Sequence, residues 1–132
     1  MTKARMVDQL LVSTPNEVGT LGNLTEALLS AGVNILHLCA YAEGDKGSFM
    51  IISSDNDKCA EIMKNMGYEV SKSKTMEIEF ENKPGTLAPI AKNLAENGID
   101  IQYIFGTSAD GNNILGIIST SDNDAALQMI NE

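Results

Sequence analysis

The chain carries one pattern twice. Asn16-Glu17-Val18-Gly19-Thr20-Leu21, running on to Gly32-Val33-Asn34-Ile35, matches Asn82-Lys83-Pro84-Gly85-Thr86-Leu87, running on to Gly98-Ile99-Asp100-Ile101. A second pair of anchors follows, Met50 to Asp57 against Ile117 to Asp124. The offset is about 66 residues for the first pair and one more for the second, so one copy has an extra residue in an intervening loop. A period this long marks a duplicated domain, not a short-period solenoid. In 132 residues each copy stands near the lower size limit for independent folding, so the halves are expected to pack together.

Both copies read as the same run of elements. A strand comes first, Met6 to Ser13 and Met76 to Phe80, where Met76, Ile78 and Phe80 alternate with Glu77 and Glu79. A Gly turn leads into a helix with the stripe Leu21, Leu24, Leu28, Ala31, or Leu87, Ile90, Leu94. Gly32 and Gly98 stand where a left-handed cap stops those helices. Second strands follow at Val33 to Tyr41 and Ile99 to Thr107, then hairpin loops at Glu43 to Gly47 and Ala109 to Asn113. Third strands are expected at Phe49 to Ile52 and Ile114 to Ile118. Asp55 or Asp57, and Asp122 or Asp124, can cap the next helix. Its buried stripe is Cys59, Ile62, Met63 and Met66, with Ala126, Met129 and Ile130 in copy two. A fourth strand is expected near Tyr68 to Ser71, followed by a linker at Ser71 to Lys74. The second copy stops at its second helix without a fourth strand, which leaves Met76 to Phe80 as an open edge that invites another chain.

The expected fold class is therefore α+β: two tandem ferredoxin-like βαββαβ units, 1–72 and 73–132, with an antiparallel sheet and helices on one face. The second and third strands are apolar on both faces, so the open side of the sheet is expected to be covered.

Charge and composition remove several functions. The net charge is -9, with Lys and Arg outnumbered 9 to 18. A nucleic-acid binder needs a basic face to neutralise phosphates, so no nucleic acid and no anionic membrane surface is expected as a partner. No apolar run approaches 20 residues. Met1 to Leu10 carries Lys3, Arg5 and Asp8 and lacks the apolar core of a signal peptide. Cys39 and Cys59 are therefore expected as reduced thiols in the cytoplasm. His37, the one histidine, lies within an apolar strand and reads as a half-buried structural residue. No zinc-ligand spacing or phosphate-cradling loop is present, and the Asp55-Asn56-Asp57 run lacks the Gly and distant Glu of a calcium loop. No catalytic set, metal or cofactor is expected. RNA recognition on a fold of this kind needs third-strand aromatics and basic flanks; Phe49 is the lone candidate and the charge is wrong.

The turns Asn16 to Thr20 and Asn82 to Thr86 are the most suggestive elements. Gly19 and Gly85 allow positive φ and close approach of a ligand, and the helix N-terminus beyond suits a carboxylate. The plainer reading is a tight turn whose N–H groups bind water. Asn34 and Asp100, just after the helix-stopping Gly, can accept a hydrogen bond from an ammonium group or serve only their own turns.

The pattern Asn-x-Pro-Gly-x-Leu, a helix, then Gly-hydrophobic-Asn/Asp-Ile resembles the ACT domain. Copy two carries it whole in Asn82, Pro84, Gly85, Leu87, Gly98, Ile99, Asp100 and Ile101; copy one has Val18 where the family usually has Pro. The resemblance implies a non-catalytic regulator of amino-acid metabolism that binds an amino acid where two ACT units meet. It implies a homo-oligomer joined side by side through the second strands. An alternative is a regulatory subunit held by a catalytic partner enzyme such as acetolactate synthase. The serine-sensing members map their ligand contacts onto Asn16 and Asn34, and onto Asn82 and Asp100; Gly19, Thr20, Gly85 and Thr86 complete the expected site. The His those members place two residues before the turn Asn is replaced here by Thr14 and Phe80.

Overall fold

A computed structural model describes residues 2–132; Met1 lies outside the described residues. The elements in order are β1 (Lys3–Pro15), α1 (Thr20–Ser30), β2 (Ile35–Glu43), β3 (Lys46–Ser53), α2 (Asn56–Asn65), β4 (Glu69–Glu81), α3 (Ala88–Glu96), β5 (Ile101–Thr107), β6 (Asn113–Thr120) and α4 (Asn123–Asn131). They form two compact units, and the division is not the sequential one. The first unit is Asp8–Ser73; the second joins the chain up to Val7 with Lys74–Glu132. One break lies between Ser73 and Lys74, inside β4, and the other between Val7 and Asp8, inside β1.

The first unit orders its strands β2-β3-β1-β4, all with helices α1 and α2 against one face. Register is antiparallel, with Val12 opposite Phe49 and Ala40 opposite Phe49 on its other side. Leu10, Leu24, Leu28, Ile51, Cys59 and Met63 are its fully buried centre. These are the stripe positions expected from period 3.6 in the helices and period 2 in the strands, with Leu21 the exception at 44% exposed.

The second unit has the order β1-β4-β6-β5. No strand follows α4, as the sequence indicates, but the edge beside Met76–Phe80 is not open. The beginning of β1 lies along β4 there: Ala4 and Met6 pack on the core of Met76, Ile78, Leu94, Ile118 and Ala126, and Arg5 Nε donates to Glu77 Oε1 at 2.8 Å. The new outer edge is closed in turn by Asn131 at the end of α4. Its Oδ1 accepts the Ala4 N–H at 2.8 Å and its Nδ2 donates to the Ala4 carbonyl at 2.9 Å. The expected linker at Ser71 to Lys74 is also absent as such, because β4 runs unbroken through it. Ser and Lys are weak strand formers, yet pairing with β1 and the Lys72–Asp57 ion pair override local preference.

Caps and stops follow the repeat. Gly32 and Gly98 have φ of +72° and +71°, and the next N–H reaches back to Leu28 and Leu94 in a Schellman closure. Asp55 and Asp122 are the N-caps, each accepting a backbone N–H three residues on at 3.1 Å. Directly after each cap, Asn56 and Asn123 do something the sequence did not advertise. Each accepts the N–H of the preceding strand end and donates across to a neighbouring strand, Asn56 to Asp8 and Asn123 to Lys74.

Ile117 is fully buried with Phe105 directly across from it, Tyr103 stacks on Phe105 at 6.3 Å, and Thr75 donates to the Ile118 carbonyl beneath the Tyr103 hydroxyl. In the first unit His37 lies across from the buried Ile52. Cys39 is half-buried and Cys59 fully buried, and both thiols are free; burial pushes the Cys59 thiol above its ordinary range. Among the described residues no helix is long and apolar enough to cross a membrane.

Candidate functional site

The two Gly turns adopt the conformation their sequence requires. Gly19 and Gly85 have φ of +92° and +87°, and a Cβ placed on either meets nothing within 4 Å. The left-handed backbone demands glycine here, and the space in front of it is open. Asn16 and Asn82 are anchors of this turn. Each donates its backbone N–H and its Nδ2 to the adjacent hairpin loop, Asn16 to Asp45 and Gly44, Asn82 to Asn112 and Gly111. The hydroxyls of Thr20 and Thr86 are likewise committed to the turn. Thr20 donates to the Glu17 carbonyl, and Thr86 to those of Glu81 and Lys83 at 2.9 and 3.1 Å.

The two copies then diverge. In copy one the Asn23 N–H closes the first helical turn onto the Gly19 carbonyl at 3.0 Å. Its counterpart in copy two is Pro89, which has no N–H to give. Helix α3 accordingly starts at Ala88, two positions later than α1, and the chain from Gly85 to Leu87 stays non-helical with no side-chain cap.

A cavity lies beneath each turn, about 640 Å³ in the second unit and about 270 Å³ in the first. Small-molecule sites run from roughly 300 to 1,000 Å³, so only the second falls within that range. The turn residues Lys83 to Ala88 form its lip, Ile78, Phe80 and Ile114 its floor, and Ile104, Phe105 and Gly106 its edge-strand wall. The larger volume has a cause visible in the register. Where copy one pairs Ala40 with Phe49, copy two pairs Gly106 with Gly116. Phe49 is 6% exposed, so its ring fills space that the two glycines leave empty. Lys83 brings a charge to the lip, and its Nζ stands 2.7 Å from Oε2 of the neighbouring Glu81. The Lys83 ammonium helps to hold the Glu81 carboxyl down to about 2.

The expected site residues are not all brought together. Asn82, Gly85 and Thr86 share one turn, and Asn16, Gly19 and Thr20 share the other. Asn34 and Asp100 are elsewhere: their N–H and carbonyl groups are tied to Ser54 and Ser121 at the opposite sheet end. Asp100 precedes β5 whereas the cavity touches its last residues, a separation of roughly 17 Å at 3.4 Å per residue. Gly106, Gly116, Pro89 and Lys83 are site residues that motif reasoning passed over. Setting Phe49 beside Gly116 in the repeat alignment carries that signal. Among the described residues no group of His, Cys, Asp and Glu side chains is placed to hold a metal ion.

A family model described as an ACT domain pair matches residues 5–132. No curated protein matches the chain. Among solved structures, protein BT0572 from Bacteroides thetaiotaomicron is 28% identical with a TM-score of 0.85, over 95% of this chain and 86% of that one. The regulatory subunit of aspartate kinase from Thermus flavus shares the fold at 16% identity and a TM-score of 0.63, over 97% and 94% of the two chains. The ligand-free regulatory subunit from Thermus thermophilus does so at 15% and 0.66, over 94% and 93%.

Proposed function

Because the chain belongs to the ACT domain pair family, we propose that it is a non-catalytic sensor that binds a free amino acid and passes its occupancy to a separate protein of amino-acid metabolism. The observation that carries this reading is the cavity of the second unit, open under a glycine turn and an uncapped helix start. The N–H groups of the Gly85 to Leu87 turn, with that of Ala88 at the start of the helix, are the natural seat of a carboxylate, since the first N–H groups of a helix have no partner within it and Pro89 has none to offer.

An ammonium partner comes from a second chain. Strands β2 and β5 each have a partner on one side only, and Leu36, Tyr41 and Ile104 on them are 55%, 48% and 40% exposed. Two copies pairing β5 antiparallel across a two-fold axis set the Asp100 end of one strand against the Phe105 end of the other. That places a carboxylate near a turn it cannot reach within its own unit. Light scattering at micromolar concentration is expected to give twice 14.1 kDa or a multiple of it; a monomer mass throughout counts against the pairing.

A thermal-shift screen over the twenty amino acids tests the sensor reading. Ligand at 100 times its dissociation constant adds about 2.7 kcal/mol, which raises the midpoint by on the order of 10 °C for a domain of this size. The shift is expected to vanish in Gly85→Val, whose side chain occupies a left-handed position and stands in front of the turn. No shift with any amino acid at millimolar concentration refutes the reading, and a shift undiminished in Gly85→Val puts the ligand elsewhere.

A further inference from the structure

Resting on the sensor reading above, we propose that the second unit's cavity is a side-chain subsite selective for an α-amino acid with a large apolar side chain, branched or aromatic, and that the first unit's cavity does not accept one.

The wall chemistry comes first. Ile78, Phe80, Leu87, Ile104 and Ile114 present hydrocarbon, and the one hydroxyl among the lining side chains, Thr86, is already donated to two turn carbonyls. A ligand hydroxyl, amide or second ammonium entering here loses its water and finds no replacement; an apolar side chain loses nothing. Lys83 is the one charged side chain among the lining residues; it stands at the lip with its Nζ 2.7 Å from Glu81. A zwitterionic head group finds its two partners outside this apolar lining, the turn N–H groups for its carboxylate and the paired chain's Asp100 for its ammonium. They give no such match to a neutral hydrocarbon.

The void is built into the backbone. A Cβ on Gly116 stands 2.7 Å from the Phe105 carbonyl oxygen, and one on Gly106 stands 2.9 Å from the Leu115 oxygen. The two strands approach too closely for any side chain at that pair, so neither position sends one into the space. In copy one Phe49 occupies the same register position, and the helix start closes through Asn23.

Calorimetry on the full chain tests this with L-leucine, L-phenylalanine, L-serine, L-lysine and 4-methylpentanoate, the last being leucine without its ammonium. Leucine or phenylalanine is expected to bind at one site per chain, with serine, lysine and 4-methylpentanoate at least tenfold weaker. Ile104→Trp narrows the mouth from a position 40% exposed and is expected to weaken binding at least tenfold. Ile114→Phe, which fills the floor, serves as the second variant. Preference for serine or lysine overturns the subsite and leaves the sensor reading standing. Equal binding of 4-methylpentanoate overturns the zwitterion match. Two equivalent sites per chain, or apolar binding unaffected by both variants, overturns the location. Failure of every amino acid in the thermal-shift screen removes the sensor reading itself.

Discussion

Deleting residues 1–7 is expected to unfold the second unit. Within that stretch, residues 3–7 supply the strand beside Met76–Phe80, pack Ala4 and Met6 against the core, and hold both hydrogen bonds between Ala4 and Asn131. The two Ala4–Asn131 bonds and the Arg5–Glu77 bond, at about 1 kcal/mol each, give roughly 3 kcal/mol before the pairing with β4 and the packing of Ala4 and Met6 are added. Domains of this size are stable by only about 5–15 kcal/mol, so the loss is comparable with everything the unit has. Urea unfolding followed by circular dichroism is expected to show the transition moved to much lower denaturant or abolished. The first unit retains its own contacts from Asp8 to Ser73. Adding a synthetic peptide of residues 1–8 in trans is expected to recover part of the transition by strand addition. An unchanged midpoint in the truncated chain refutes the assignment of β1 to the second unit.

Gly116→Val is expected to destabilise strongly, by about 3 kcal/mol or more, because overpacking against backbone is costly and cannot relax by a side-chain rotation. The new Cβ meets the Phe105 oxygen at 2.7 Å and the Gly106 Cα at 3.3 Å. Either β5 is pushed away from β6 or the register at Gly106–Gly116 is lost, and both destroy the cavity wall. Gly22→Ala is the matched control. Gly22 lies inside α1, where a Cβ meets nothing within 4 Å, and alanine there is expected to stabilise by about 0.5–1 kcal/mol. Chemical denaturation of the two variants side by side checks the pair of signs. Wild-type stability in Gly116→Val shows that the strands have room the structure does not give them.

Much of the fold was legible because the repeat supplied each element twice. The helix stops at Gly32 and Gly98, the caps at Asp55 and Asp122 and the stripes ending in Leu28 and Leu94 rest on local rules, and local rules transfer from sequence to structure. The division of β1 was not legible. Nothing within Lys3 to Val7 says that its partner is Glu77 and not a residue of its own copy, because strand pairing is decided by which edge is vacant. The polar run Ser71 to Lys74 misled for the same reason: its strand conformation comes from a neighbour, not from its own residues. At the site, the turn glycines could be read from their motif. The roles of Asn16 and Asn82 as hairpin anchors could not, since an Asn motif is the same string whether it holds a ligand or a loop. Asn34 and Asp100 are named by resemblance, but topology puts them at the far end of the strand.

The bond between Ala4 and Asn131 joins residues 127 apart in the chain. The first unit is one uninterrupted stretch, so every residue it needs has been made by Ser73. The second unit holds its earliest strand in waiting until the last helix has been made. Closing so long a loop costs conformational entropy before any contact repays it, and topologies of high sequence separation fold slowly. The duplication therefore yields two units of one architecture and unequal timing, and the one with the ligand-sized cavity is the one that must wait.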